Sequence, residues 1–496
     1  MVVSHDAGAD TLGPGALLVG DRWIANPSGG RRDHVNPTTG RPHASFAVAG
    51  VDEVDAAVSA AGAAFPAWRD LSPGDRRGML LRLADLVEAR SAELGPMTAL
   101  ESGTPVAIGS AGRLAVEYLR YYAGWADKLE GRTIPVWPQP GFDYTRLEPV
   151  GVVGVLIPWN GPLTSIGQKI APALAAGCCV VLKPSELAPF VALRFAAWAL
   201  EVGLPPGVLN VVSGGAETGA ALAGHADIDK ISFTGSGATG TRVMAAASEN
   251  LTPVLLELGG KSALVVFDDA DLDAAAATAV RLGVVIGSGQ GCVLPTRLLV
   301  QESVYDDVVA RVAALVGRVE VGDPLASTTQ MGPLIDARAC ERVLGVIERG
   351  RTEGATLVAG GARVGGDLAS GYFVEPTVFG DVDPASDLAQ REVFGPVLSV
   401  LRFSDEASAV ALANGTRYGL GGFVFTCDLD RAHRVAASLD AGYVGVNGFP
   451  MLPASAPFGG MKGSGFGREG GREGIEEFLH TKNVFVSMPP NPAAGT

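Results

Sequence analysis

Between residues 150 and 256, apolar runs alternate with helical patterns. Continuous apolar, β-branched stretches occupy 150–157 (VGVVGVLI), 178–182 (CCVVL), 208–212 (VLNVV), 230–233 (KISF) and 254–256. Between them, 163–176, 189–202, 216–223 and 238–248 place Ala, Leu and Val at the three- and four-residue spacing of an α-helix. A strand with no polar alternation is covered on both faces. Strand–helix–strand units of this period therefore predict a parallel sheet with helices on either side. Upstream, 51–67, 73–93 and 110–129 predict helices, with Asp52 and Ser72 as N-caps. Downstream, strands at 263–266 and 297–300 and helices at 271–286 and 304–319 predict a second α/β unit, and strands alternate with helices again to a Gly-rich stretch. The terminal TKNVFVSM reads as a strand with nothing after it, of the kind that pairs with another subunit.

The 496 residues suggest two to four domains. With 47% hydrophobic and 18% charged residues the chain has a globular composition. A formal net charge of -15, with no run of Lys or Arg, argues against a nucleic-acid or anionic-membrane partner. Five scattered cysteines do not form a disulfide framework, and neither they nor the six histidines show metal-ligand spacing, so no metal is expected. No signal peptide is read at the N-terminus, and no apolar stretch is read as reaching the ~18 residues of a membrane span. The expectation is a soluble, cytoplasmic protein.

On the sheet pattern, ligands bind beyond the carboxyl ends of the strands, where PWN, KPSE, FTGSG and ELGG fall. The stretch 235–240 matches G-x-G-x-x-G after a strand and before a helix, with Glu257 22 residues beyond Gly235. That pattern is weak in a chain with 67 glycines, and three strands precede this one where the usual fingerprint follows the first. What remains is a tight turn at Gly235 and Gly237, and donors at the helix start and Ser236 that suit a phosphate. Cys178 and Cys179 lie inside an apolar run, and Cys340 and Cys427 suggest structural roles. Cys292 lies in a Gly-rich turn, GSGQGCVLP, where a substrate can approach. A thiolate there can add to an electrophilic carbon and later leave.

Taken together, the chain resembles the aldehyde dehydrogenase superfamily, of the NAD(P)-dependent, non-acylating kind. The matching segments are PWN (158–160), KPSE (183–186), FTGS (233–236), ELGGKS (257–262), GQGC (289–292), EVFGPV (392–397) and PFGGMKGSGFGRE (457–469). The resemblance spans about residues 20 to 487 and implies an α/β fold. A discontinuous Rossmann-like NAD-binding domain would cover 16–126 and 150–259, and a catalytic domain 260–459. Oligomerisation strands at 127–149 and 477–490 would make a homodimer or homotetramer.

The resemblance also assigns roles. Cys292 is the nucleophile, and Glu257 is the general base that activates water against the thioester. Relatives that pass the acyl group to CoA generally lack this Glu, so water is the expected acceptor. Asn160 contributes to the oxyanion hole, and Lys169 with Glu469 relays protons. Trp159, Lys183, Glu186, Gly235, Ser236, Gly240, Glu392 and Phe394 match cofactor-binding positions. Glu186 would accept the adenine-ribose hydroxyls and repel a 2′-phosphate, which favours NAD over NADP. Gly161, Ser165, Gln168, Val293, Leu452 and Phe458 are expected around the aldehyde, a small molecule of medium-sized or aromatic apolar type. A semialdehyde or amino-aldehyde substrate, a cysteine hydrolase working without nucleotide, and a non-catalytic relative are the alternatives. The last two sit badly with the nucleotide motifs and with the intact Cys292, Glu257 and Asn160. The chain departs from many relatives in Gly237, in Gly287–Ser288 where an Asn is usual, and in a Glu257-to-Cys292 spacing one residue longer than expected.

Overall fold

The structure, a computed structural model, describes residues 8–108, 111–449 and 452–489. Five parallel strands form the centre of an eight-stranded sheet. Across it they run Val254–Glu257, Lys230–Thr234, Val152–Leu156, Cys179–Lys183, Leu209–Val211. The order reverses at Val152–Leu156, whose neighbours are the next strand in sequence on one side and the fourth of the five on the other. That switch point opens a crevice beyond the strand ends, between 158–160 and 234–236. Antiparallel strands extend both edges: Leu17–Val19 and Arg22–Ile24 on one side, Gly465–Phe466 on the other.

A seven-stranded sheet follows. Its order is Thr356–Ala359, Thr377–Gly380, Val397–Phe403, Arg297–Gln301, Ala263–Val266, Gly421–Phe425, Tyr443–Val446, and only the first strand is antiparallel. The two α/β sheets with their helices are the expected fold class. Both have all-buried central strands, as unbroken apolar runs require. The helix Pro162–Ala176 is buried along its whole length. It packs between the first sheet and the helix Ala111–Ala123, so the polar Ser165, Gln168 and Lys169 it carries are held inside the protein.

Several sequence expectations change. Gly50, not Asp52, is the N-cap of the helix Val51–Asp70, because the Glu53 carboxylate accepts the Gly50 N–H at 2.8 Å. Ser72 does cap the next helix, accepting the Asp75 N–H at 3.1 Å. The expected 73–93 helix is two, Pro73–Ala89 and Ser91–Ser102, broken at Arg90. The helix predicted to reach 129 ends at Ala123. The helix predicted over 271–286 is regular only over Leu272–Val280, then widens into a π-turn at Arg281–Val285 and tightens at Ile286–Gly289. That run, Leu272–Gly289, does reach 18 residues, with a mean hydropathy of 1.3, so by length and composition it could cross a membrane. Half of it is buried inside the protein, with Ala275, Ala276, Ala279 and Val280 in the core of the second sheet. The C-terminal strand, Leu479–Ser487, finds a partner within the chain. It pairs antiparallel with Gly141–Pro149 in a three-stranded sheet completed by Thr133–Ile134.

Gly465 pairs with Glu257 across the sheet edge, at φ 112°, and a Cβ there would lie 2.0 Å from the Leu256 carbonyl oxygen. Gly465→Ala is expected to cost about 3 kcal/mol through strain and forced displacement. A thermal melt should show a lower midpoint, and the displaced Glu257 should cost most of the activity. An unchanged melt and rate would show that this edge is not rigid.

Candidate active site

Two adjoining cavities run along the carboxyl ends of the first sheet. One, of about 460 Å³, is lined by Trp159, Asn160, Glu257, Cys292, Glu392 and Phe394, with Gly235 and Ser236 at its rim. The other, of about 890 Å³, is lined by Glu186, Arg32, His34 and Thr218 among others. They share Leu187, Ile335, Asp336 and Arg338, and so form one trough.

Glu257 ends its strand inside the protein, 2% exposed, and neither carboxylate oxygen makes a hydrogen bond of good geometry. Burial, and then the charge of Glu469, push its carboxyl well above the ordinary range; the Gly460 N–H, Lys169 and Arg468 offset only part of this. Lys169 and Glu469 form a buried ion pair, and Lys169 Nζ also donates to Ser232 Oγ at 2.9 Å. Asn160 follows the strand at the switch point, and its Nδ2 donates to the Gln290 carbonyl at 2.9 Å.

Cys292 is half-buried and lines the cavity. Burial pushes its thiol up to about 12, helped by the carboxylates of Glu392 and Glu257. The turn before it is unusual: Gly287, Ser288 and Gly289 all have positive φ, at 58°, 55° and 69°. Ser288 pays part of that strain by donating its Oγ to the Gly332 carbonyl at 2.8 Å.

The expected cofactor residues divide. Trp159 and Phe394 meet edge to face, with ring centroids 5.6 Å apart. Glu392 Oε1 accepts the Gly260 N–H at 3.0 Å, and burial raises its carboxyl to about 7. Ser236 caps the helix Gly237–Ser248 through the Thr239 N–H. Lys183 does not line the trough. Its Nζ turns inward to the carbonyls of Gly214 at 2.7 Å and Pro184 at 3.0 Å, and burial lowers it to about 8. Gly240 also stands outside the trough, where a Cβ would fall 2.7 Å from a Leu258 methyl; its role is close helix–sheet packing. The sequence reading missed the far wall, Ile335, Asp336, Arg338 and Arg342. Arg342 donates to the carbonyls of Val393 and Phe394 and so holds the EVFGPV loop. The only sequence signal for this wall was a helix start with two arginines four residues apart.

The expected substrate residues do not line either cavity. Gly161, Ser165 and Gln168 fall at i, i+4 and i+7 at the head of the helix Pro162–Ala176, on one stripe. Gln168 Nε2 donates to the Tyr118 hydroxyl at 3.3 Å, which donates in turn to the Leu452 carbonyl at 3.4 Å. Val293, Phe458 and Leu452 share one apolar cluster with Cys292. Tyr443 and Phe449 belong to the same cluster and were also missed. A Cβ on Gly161 would meet nothing closer than Thr164, at 3.9 Å.

The profile of the aldehyde dehydrogenase family matches residues 23–484. The chain belongs to this family. It is 43% identical over 480 residues to the mitochondrial aldehyde dehydrogenase of Rattus norvegicus, covering 95% of this chain and 92% of that one. An aldehyde dehydrogenase of Enchytraeus buchholzi is also 43% identical, over 95% of this chain and 96% of its own. Among solved structures, betaine aldehyde dehydrogenase of Staphylococcus aureus in complex with NAD+ superposes with a TM-score of 0.94 at 35% identity, covering 97% and 99% of the two chains. PnpE in complex with nicotinamide adenine dinucleotide gives the same score at 40% identity, over 97% and 99%; one such match is PnpE from Pseudomonas sp. WBC-3. Aldehyde dehydrogenase activity follows from this membership.

The raised Cys292 thiol has a kinetic signature. Moving from the ordinary 9.0 to about 12 removes about a thousandfold of thiolate at neutral pH. Each remaining thiolate is more nucleophilic, so the net slowing of alkylation is a few tens of fold, at a Brønsted slope of about 0.5. Iodoacetamide labelling of Cys292, followed by peptide mass spectrometry in the ligand-free protein, should be slower than a free thiol by about that factor. It should still be rising at pH 10. A plateau near pH 7 would contradict the site's electrostatics.

Proposed function

We propose that the protein oxidises an aldehyde to its carboxylic acid, with NAD as hydride acceptor and water as acyl acceptor. The observation that carries this reading is Cys292 and the buried, unbonded Glu257 in one cavity. The Cys292 sulfur adds to the carbonyl carbon. Its proton passes to Glu257, whose raised pKa suits a base working near neutrality. The oxygen becomes an oxyanion, met by the Asn160 amide and the Cys292 backbone N–H. A bound NAD would supply hydride acceptance here, and Cys292 would keep the acyl group as a thioester once the tetrahedral carbon has lost its hydride. Once Glu257 has given up the thiol's proton to solvent, its carboxylate takes a proton from water, which adds to the acyl carbon. The C–S bond breaks, and the acid departs as the sulfur is released. The charges of Glu469 and Lys169 act on Glu257 electrostatically, and this buried pair would carry its proton onward.

The trough fits a dinucleotide. Glu186 would take the adenine-ribose hydroxyls, Ser236 and Gly235 the pyrophosphate beside Trp159, and Glu392 with Phe394 the second ribose. The NAD complexes of PnpE and of the Staphylococcus aureus enzyme support this cofactor. Arg338 and Arg342 add positive charge on the far wall.

For the substrate, the apolar cluster of Val293, Leu452 and Phe458, with open space over Gly161, supports a medium-sized or aromatic aldehyde. The betaine aldehyde named for one structural relative is a second reading, and Tyr443, Phe449 and Phe458 offer aromatic faces to a cation. We also propose a homo-oligomer, since the small sheet exposes Phe142, Phe485, Val486 and Met488, with Trp137 91% exposed nearby.

Cys292→Ala should bring NADH formation below a few per cent of wild type while NAD still binds. Glu257→Gln should leave a rapid burst of NADH and a slow steady state. Turnover well above that in Cys292→Ala would remove the nucleophile assignment. Glu186→Ala should weaken NAD and narrow its advantage over NADP, read by fluorescence titration of both; an unchanged ratio would place the ribose elsewhere.

Across aldehydes of two to about eight carbons, KM should fall, each buried methylene being worth about 0.8 kcal/mol. Gly161→Phe should reverse that order by filling the open space. A flat series, or a clear preference for betaine aldehyde or a charged semialdehyde, would overturn the apolar reading.

A further inference from the structure

We propose that Gln290 is a positioning residue that ties the nucleophile loop and the Asn160 amide to the far wall of the cofactor trough. Its side chain is 5% exposed, and both ends of its amide are engaged. Oε1 accepts the Ile335 N–H at 3.0 Å, while Nε2 donates to the Gly287 carbonyl at 3.0 Å and to that of Pro333 at 3.5 Å. Its own main-chain carbonyl accepts Asn160 Nδ2 at 2.9 Å. Cys292 is two residues further on. Ser288, through Gly332, makes a second clasp between the same two segments.

The wall so gripped leads into the trough. Ile335 and Asp336 line both cavities. Asp336 caps the helix Ala337–Thr352 by accepting the Ala339 N–H at 2.7 Å. That helix carries Arg338 and Arg342 to the cavity, and Arg342 grips the loop of Glu392 and Phe394. One residue thus joins the nucleophile loop, the oxyanion donor and the cofactor wall, its side chain reaching the wall and its main-chain carbonyl the Asn160 amide. Three successive left-handed residues precede it; two are glycines, and the third, Ser288, is the one whose strain its bond to Gly332 helps to hold. A ligand that packs against Ile335 and Asp336 therefore bears, through Gln290, on where Cys292 and Asn160 stand.

This rests on the proposed use of NAD, so NAD binding is measured directly beside the coupling. Gln290→Ala removes both ends of the link. Gln290→Glu keeps the acceptor for Ile335 and loses the Nε2 donor. Three quantities are read: NAD affinity by fluorescence, Cys292 alkylation by iodoacetamide with and without saturating NAD, and kcat with KM. In the wild type, NAD should change the alkylation rate by about fivefold or more. In Gln290→Ala that change should shrink to about twofold or less, with NAD affinity held within about threefold. Its kcat should fall by about 10²-fold through misplaced groups, with the aldehyde KM little altered. Gln290→Glu should lie between the two on every readout. A merely structural role would lower the melting temperature and leave the NAD effect intact, which overturns the proposal. So does a wild type that binds NAD with no change in alkylation. A wild type that binds no NAD overturns the proposed function as well.

Discussion

One constraint governs the site: a carboxyl group, Glu257, is buried at the end of its strand, and neither oxygen makes a hydrogen bond of good geometry. Such a group costs several kcal/mol to bury and would collapse onto any donor within reach. Its surroundings must therefore be stiff. The strand Val254–Glu257 is clamped on one side by its parallel neighbour and on the other by Gly465–Phe466. The Lys169 ammonium, which could quench it, is already held by Glu469 and Ser232. Burial first, and the Glu469 charge second, then make Glu257 hold a proton more readily than a free carboxylate.

The second constraint is the meeting of two sheets. Glu257 and Asn160 follow strands of the first, while Cys292 comes from a turn feeding the second. They converge across Gly259 and Gly260. A Cβ on Gly259 would fall 2.1 Å from a Glu392 oxygen, and one on Gly260 would fall 2.5 Å from the Cys292 carbonyl oxygen. Any side chain at these two positions would push base, nucleophile and cofactor wall apart. The ELGG segment is thus a spacer of minimum thickness, with the base at its head.

What the sequence disclosed followed from how strongly each feature constrains local chemistry. The unbroken apolar runs marked the central strands to within a residue or two, because double-sided burial leaves no other pattern. Cys292, Glu257, Asn160 and Glu392 stood in short segments whose residues all face one place, and the structure brings them to one cavity. Lys183 was expected among the cofactor contacts because KPSE resembles the family's cofactor-binding segment. Here two backbone carbonyls left open by the loop at Gly214 and Pro184 draw it in. The wall from Ile335 to Arg342 was silent because its contacts are main-chain groups and the start of an ordinary charged helix. The break at Arg90 was silent because the apolar pattern continues past it in phase, and only the backbone angles interrupt.

The electrostatics of the resting site have a consequence of their own. Cys292, Glu257 and Glu392 all titrate above their ordinary values, for the same reason: each ionised form adds negative charge to a poorly solvated cavity that already holds some. The ligand-free site therefore rests with its thiol protonated, which protects it from oxidation and from wasteful addition. A positively charged ligand group entering the cavity acts in the opposite sense on all three at once. It lowers the thiol toward its anion and the two carboxyls toward theirs.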